Sequence, residues 1–221
     1  MYKTLIVVDN DRLGAGDQLA DVITFDTYLA EYPKHNEPKT RIINLCDTQH
    51  YLSKGYYCSL LAEARNHTVL PSVKTINDLR HLNNDSSLLL PYSSYLLDAG
   101  LEPVAQEYLL YFGQTDVEPL QPLARRLFKD FQAPLLRIRL EPGDKHWQLK
   151  VDECSVTDLE DSQWQTFVSY LTDFTQKVWR VGARRKRYRW DMAILVDPEE
   201  QTPPSDPDAI SRFVKAAHKV G

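Results

Sequence analysis

The sequence predicts an α/β to α+β chain: a three-layer-like mixed sheet with a βαβ unit, then a β-α-β-β-α element, then a terminal β-α unit. Three observations lead there. Short β-branched runs alternate with helical periodicity through residues 4–82, the pattern of a sheet built partly from parallel strands. Residues 107–179 then set three strand patterns around two amphipathic helices, with a short turn where a crossover would otherwise stand. A last apolar run, 192–196, is followed by a helical one, 209–219.

In order along the chain, residues 4–8 (TLIVV) form a compact strand ended by the polar loop NDRLGAGD. Residues 21–28 read as a second strand, 31–39 as a loop holding Pro33 and Pro38, and 41–46 as a third strand. The clearest helix of this half is YLSKGYYCSLLAEARNH, where Leu52, Tyr56, Leu60 and Ala64 recur at four-residue steps on one face. Ser53 suits its N-cap and Asn66 its C-terminal stop. HTVLPS is a short strand broken by Pro71; it completes the βαβ unit and makes this part of the sheet parallel. Helical segments follow at 73–82 and 92–99.

The second half opens with a strand at 107–113 and a helix at 119–131, with Leu120, Leu123, Leu127 and Phe131 along one side. Residues 135–140 alternate apolar side chains with arginine, as a half-exposed strand does. GDKHW turns the chain into a further strand, 147–156. Residues 161–179 form a long amphipathic helix carrying Trp164, Phe167, Val168, Leu171, Phe174 and Val178. The segment RVGARRKRYRW holds six basic residues and two aromatics and marks a boundary. The expected organisation is an α+β domain over 1–180, a basic linker over 181–191 and a β-loop-α unit over 192–221.

Composition narrows the function classes. With 43% hydrophobic and 26% charged residues, the 221-residue chain has the means to bury a substantial core. A net charge of −5 argues against a general nucleic-acid binder. Cys46, Cys58 and Cys154 are odd in number and widely spaced, which points to a reducing compartment and away from a disulfide framework or a structural zinc. The apolar run near the N-terminus is too short for a signal-peptide core, and no stretch reaches the 18 or so apolar residues of a membrane span, so a cytoplasmic location is expected.

Motifs of the common catalytic classes are missing. There is no phosphate loop, and the Gly14-Ala15-Gly16 turn is flanked by Asp17 and Asp21, which would repel a pyrophosphate. His35, His50, His67, His81, His146 and His218 have no metal-ligand spacing and read as surface or capping residues. Cys58 reads as a buried structural thiol. No residue is assigned a catalytic or metal-binding role.

Two segments remain as binding candidates. SKGYYCS opens a helix directly after a parallel strand, where open α/β sheets place their ligands and where free backbone N–H groups favour an anion such as a carboxylate. The residues expected to bind substrate are Asn44, Ser53, Gly55, Tyr56 and Tyr57; the competing reading is that they only cap and pack one helix. The alternative is an RNA- or ribosome-binding module in which Arg184, Arg185, Lys186, Arg187 and Arg189 grip phosphates beside Tyr188 and Trp190. Its competing reading is a solvated linker.

The blocks TRIINLCDTQHYLSKGYYCSLLAEARNHTVLPSVKTINDL, EYLLYFGQ, PLARRLFKDFQAPLLRIRL and RRKRYRWDMAILVDPEEQTPPSD resemble the N-terminal region of bacterial RimK-like ATP-grasp proteins. The resemblance covers essentially the whole chain. It implies that residues 192–221 are the first β-loop-α of a pre-ATP-grasp domain, and that the chain is a truncated product or N-terminal fragment of a longer protein. In such proteins the ATP-grasp core joins a carboxylate to an amine through an acyl phosphate made from ATP and magnesium. The core's residues find no match here, so ATP and magnesium are implied for the core and no cofactor for this chain. What remains implied for the N-terminal region is an accessory role in substrate recognition within a glutamate-type ligase, with a small amino acid or peptide as substrate. Its partner would be the ATP-grasp domain of the same parent. The terminal strand is expected to pack on the main sheet, pair with a second copy as a homo-oligomer, or be poorly ordered.

Overall fold

The computed structural model describes residues 2–9, 19, 21–50, 52–82, 92, 94–97, 104–142, 147–176 and 207–220. The apolar run that opens the chain becomes β1 (Tyr2–Val8). Beside it lie β2 (Val22–Thr24) and β3 (Lys39–Asn44), and β4 (Thr68–Leu70) completes a parallel sheet of order β2-β1-β3-β4. Leu5, Ile6, Val7, Val8, Ile42 and Ile43 are all buried, as strands covered on both faces require.

The pleat sends alternate residues to different cores. Leu5 pairs with Ile42 and Ile6 with Ile43. Leu5, Val7 and Ile42 join Phe25 and Tyr28 of α1 (Phe25–Glu31) and Cys58 and Ala62 of α2 (Lys54–Ala64). Ile6, Val8 and Ile43 join Trp164, Phe167, Leu171 and Phe174 of the long α6 (Asp161–Gln176). The parallel sheet is thus the middle of three layers.

The second sheet is antiparallel, of order β5 (Gln106–Tyr111), β6 (Leu135–Pro142), β7 (Trp147–Glu153). On β6 the buried Leu136, Ile138 and Leu140 alternate with Arg137, Arg139 and Glu141. The apolar face packs on α3 (Val73–Leu82), α4 (Ser94–Leu97) and α5 (Gln121–Asp130), burying Leu79, Leu82, Leu96, Leu123 and Leu127. The polar face carries ion pairs such as Arg139 to Asp152 at 2.6 Å. The α/β to α+β class therefore holds, with the βαβ unit β3-α2-β4 in the parallel sheet and β5-α5-β6-β7-α6 after it.

Three expectations need correction. Residues 21–28 are not one strand: only Val22–Thr24 pair with β1, and the Thr24 side chain then accepts from the Thr27 N–H at 3.1 Å and caps α1. An N-cap with Phe25 and Tyr28 three apart outweighs the strand-like composition. The row Leu52, Tyr56, Leu60, Ala64 is not the buried face of α2; Leu52, just before the helix, and Leu60 are 48% and 42% exposed. The buried face is Gly55, Cys58, Ser59 and Ala62, small side chains that let the helix lie close to the strands. His67 is no surface residue either. It is buried between the Tyr28 hydroxyl, 2.8 Å from Nδ1, and the Glu37 carboxylate at Nε2.

The chain divides into two compact units, Met1–Gly182 and Ala183–Gly221. In the second, the described residues form α7 (Pro207–Val220), where the helical pattern at 209–219 falls. The strand expected at 192–196 and its three expected fates, like the whole basic stretch, lie outside the described residues. No helix of the described residues is long and apolar enough to cross a membrane.

The ring cluster on α6 generates a stability prediction. Phe167 is fully buried and packs against Tyr111, Phe112 and Trp164. Phe167→Ala is expected to cost about 3–5 kcal/mol. Urea unfolding should show the loss as a lower midpoint at unchanged slope.

Candidate functional site

The carboxyl end of β3 and the start of α2 do meet, and a buried amide holds them together. Asn44 ends β3 and is 2% exposed. Its Nδ2 donates to the Gly55 carbonyl at 2.7 Å and to Ser59 Oγ at 2.9 Å, and its Oδ1 accepts from the Cys46 N–H at 3.1 Å. Ser59 Oγ in turn donates to the Pro71 carbonyl at 2.7 Å, carrying the chain of bonds past the end of β4.

Gly55 answers a steric need. Its N–H donates to the Asp47 carbonyl at 2.9 Å. A Cβ there would stand 2.6 Å from the Asp47 carbonyl carbon and 2.7 Å from the Cys46 carbonyl oxygen. Ser53 caps α2, its side chain accepting from the Tyr56 N–H at 3.4 Å. Two of the amides that an anion would use at this helix start, those of Gly55 and Tyr56, are therefore engaged by the chain itself. Carboxylates also crowd the place: the Asp47 N–H donates to Asp9 Oδ2 at 2.9 Å, and Asp47 Oδ2 lies 2.6 Å from His50 Nδ1.

Of the five residues expected to bind substrate, Asn44, Ser53 and Gly55 thus have roles in joining the strand end to the helix start, and only Asn44 lines the cleft described below. Tyr56 and Tyr57 remain at the surface, the first half-buried and the second 41% exposed, with rings edge to face at 6.0 Å. The Arg80 guanidinium of α3 stands 5.7 Å from the Tyr56 centroid. The same guanidinium donates to the Thr48 and His50 carbonyls at 2.9 and 2.8 Å. Gln49 Nε2 reaches across to the Glu153 carbonyl at 3.0 Å and Asp158 Oδ2 at 3.3 Å. The loop after β3 is so fixed to α3 and to the end of β7.

Behind this loop lies a partly open cleft with about 290 Å³ of empty space including its mouth. Residues 44–46 and 48 form one wall, 133–135 and 153–156 the other. Sequence reasoning missed its most unusual member, Glu153. Part of the residue stays exposed, but Oε1 is closed off from solvent and has no hydrogen-bond partner. Burial pushes the carboxyl up to about 7, against a hydrogen bond from Thr48 and the charge of Arg80, with Asp47 pushing it further up. A signal existed: the period-2 pattern of β7 puts Glu153 in phase with the buried Leu149 and Val151, an acid where an apolar residue belongs.

Neighbouring thiols are inert. Burial pushes Cys154 up to about 11 even with Arg137 Nη2 at 3.2 Å. Cys46 is pushed up by its contact with Cys58 and by burial. Cys58 is fully buried on the sheet-facing side of α2. Among the described residues no group of three or more His, Cys, Asp or Glu is placed to hold a metal ion. Arg184, Arg185, Lys186, Arg187 and Arg189 lie outside the described residues.

The model of the family described as RimK-like ATPgrasp N-terminal domain matches residues 25–170, from the start of α1 into α6 and well over half of the chain. No curated protein matches the chain.

Two outcomes follow from this geometry. Gly55→Ala should destabilise by about 1–3 kcal/mol through overpacking, and Asn44→Ala by about 1–3 kcal/mol through the buried groups it leaves unpaired; urea melts measure both. Glu153 sets a pH dependence. Its carboxyl holds a proton more tightly folded (about 7) than at its ordinary 4.5, so the stability it contributes is full below 4.5 and lost as pH rises through 7. The whole loss is about 3 kcal/mol. Glu153→Gln should abolish that slope, being near neutral at pH 5 and stabilising at pH 8.

Proposed function

We propose that this chain, which belongs to the RimK-like ATP-grasp N-terminal domain family, is the substrate-recognition part of an ATP-dependent carboxylate–amine ligase. Bond formation, with its nucleotide and magnesium, falls to an ATP-grasp core of the same parent. The substrate held here is a small amino acid or peptide of the glutamate type. One observation carries the reading: the cleft lies at the carboxyl end of β3, next to the first turn of α2. In open parallel sheets the crevice beyond the strand ends is the preferred ligand position, because helix starts and strand ends gather polar backbone there without burying it.

Asn44 lines the cleft and is tied to Gly55, Ser53 fixes the helix start, and the surface rings of Tyr56 and Tyr57 on that same first turn are the contact surface this reading assigns to the rest of the substrate. Arg80 couples the two places, since one guanidinium serves both the Thr48 carbonyl and the Tyr56 ring.

Titration calorimetry with L-glutamate and with a glutamyl dipeptide tests this. Binding in the range of about 10 µM to 1 mM is expected. Tyr56→Ala should weaken it about tenfold, while Leu60→Ala, exposed on the same helix, should leave it unchanged. No heat, together with no ligand-observed NMR effect, would overturn the recognition role.

A further inference from the structure

We propose that Arg80 is the positioning residue of this site: its one guanidinium holds the cleft-wall loop and the Tyr56 ring in a single fixed relation. This rests on the recognition reading and deepens it, by naming the group that sets both of its contact places. Arg80 stands in the last turn of α3, where an arginine ordinarily just favours the carboxyl end of its own helix. Here the side chain reaches off the helix instead. Nη2 carries two hydrogens, enough for one to each of two acceptors, and it donates to the Thr48 carbonyl at 2.9 Å and the His50 carbonyl at 2.8 Å. Those carbonyls flank Gln49, whose own side chain crosses to the Glu153 carbonyl and to Asp158. The loop is pinned from α3 on one side and from the end of β7 on the other.

Both pinned points bear on the site. Thr48 lines the cleft, and the His50 carbonyl also accepts from the Ser53 N–H at 3.3 Å, where α2 begins. The same guanidinium lies 5.7 Å from the Tyr56 centroid, within reach of a cation–π contact. Its root is rigid, because Leu79 and Leu82 beside it are buried in the core shared with α5 and the antiparallel sheet. Arg80 itself stands outside the cleft lining, so it acts through Thr48 and Tyr56. Lysine is an incomplete substitute: an ammonium keeps the charge and loses the planar fork.

Amide hydrogen exchange and two-dimensional NMR of the full chain test this before any ligand is added. In Arg80→Ala the Gln49 and Ser53 amides should exchange about tenfold faster, and the Tyr56 ring signals should shift. The Leu136 and Ile138 amides of β6 should change by less than about threefold, which separates local release from a general loss of stability. Arg80→Lys should recover part of both effects. Lys74→Ala, which breaks only a surface pair with Asp78 on the same helix, should cause neither. By calorimetry L-glutamate should bind Arg80→Ala about tenfold more weakly, and adding Tyr56→Ala should weaken it little further, because the ring has already lost its seat. Unchanged Gln49 and Ser53 exchange, or an unmoved Tyr56 ring, would overturn the positioning role. So would full glutamate affinity in Arg80→Ala, or additive effects of the two substitutions, with recognition left standing. Should the wild type bind no glutamate while loop and ring still respond together, the recognition reading falls and Arg80 remains the group that sets their geometry.

Discussion

The close seating of α2 on the parallel sheet is the constraint from which most of this structure follows. A helix can approach a strand end this nearly only if its facing side chains are small, and Gly55, Cys58, Ser59 and Ala62 are that face. Close approach then brings polar backbone into the interior, where it must find partners. Asn44 provides them for the strand end and the first helical turn at once. The loop between passes close over Gly55 through Asp47 and is secured by Arg80 from α3 and by Gln49 to β7. The cleft lies between this loop and the residues flanking β6 and β7, 133–135 and 153–156.

Much of the fold was readable before any coordinates. Where one period dominated, the reading survived: the β1 and β3 runs buried on both faces, the βαβ unit, the apolar–arginine alternation of β6 and the aromatic row of α6. It failed where two signals competed. Val22–Thr24 carries β-branched residues up to the point where a threonine cap starts a helix, and composition hid the boundary. On α2 the larger apolar residues drew attention to the wrong face, because proximity to a sheet selects for small volume and hydrophobicity scales reward large.

The candidate site shows the same division. Topology led to the expectation of a strand end; Asn44, Ser53, Gly55, Tyr56 and Tyr57 lie along one strand end and helix start, and of the five only Asn44 lines the cleft. What each residue does there did not follow, since hydrogen-bond capacity is allotted by three-dimensional neighbours that one sequence does not display. Glu153, about a hundred positions further along the chain, enters the site only because Gln49 binds its carbonyl and the antiparallel sheet ends there. Period-2 phase alone marks it out, and a lone acid at a strand end is easily passed over as a solvated terminus.

The core beneath α6 has a consequence for how this domain can change. Ile6 and Ile43 of the parallel sheet, Tyr111 and Leu135 of the antiparallel one, and the rings of α6 belong to a single apolar cluster. Severing the two halves would expose the apolar underside of both. Variation is then channelled to the outer rim, where loops lengthen or residues swap without disturbing the shared interior. The cleft does not share that freedom, since Leu45, Leu135, Cys154 and Val156, which line it, are part of the same interior.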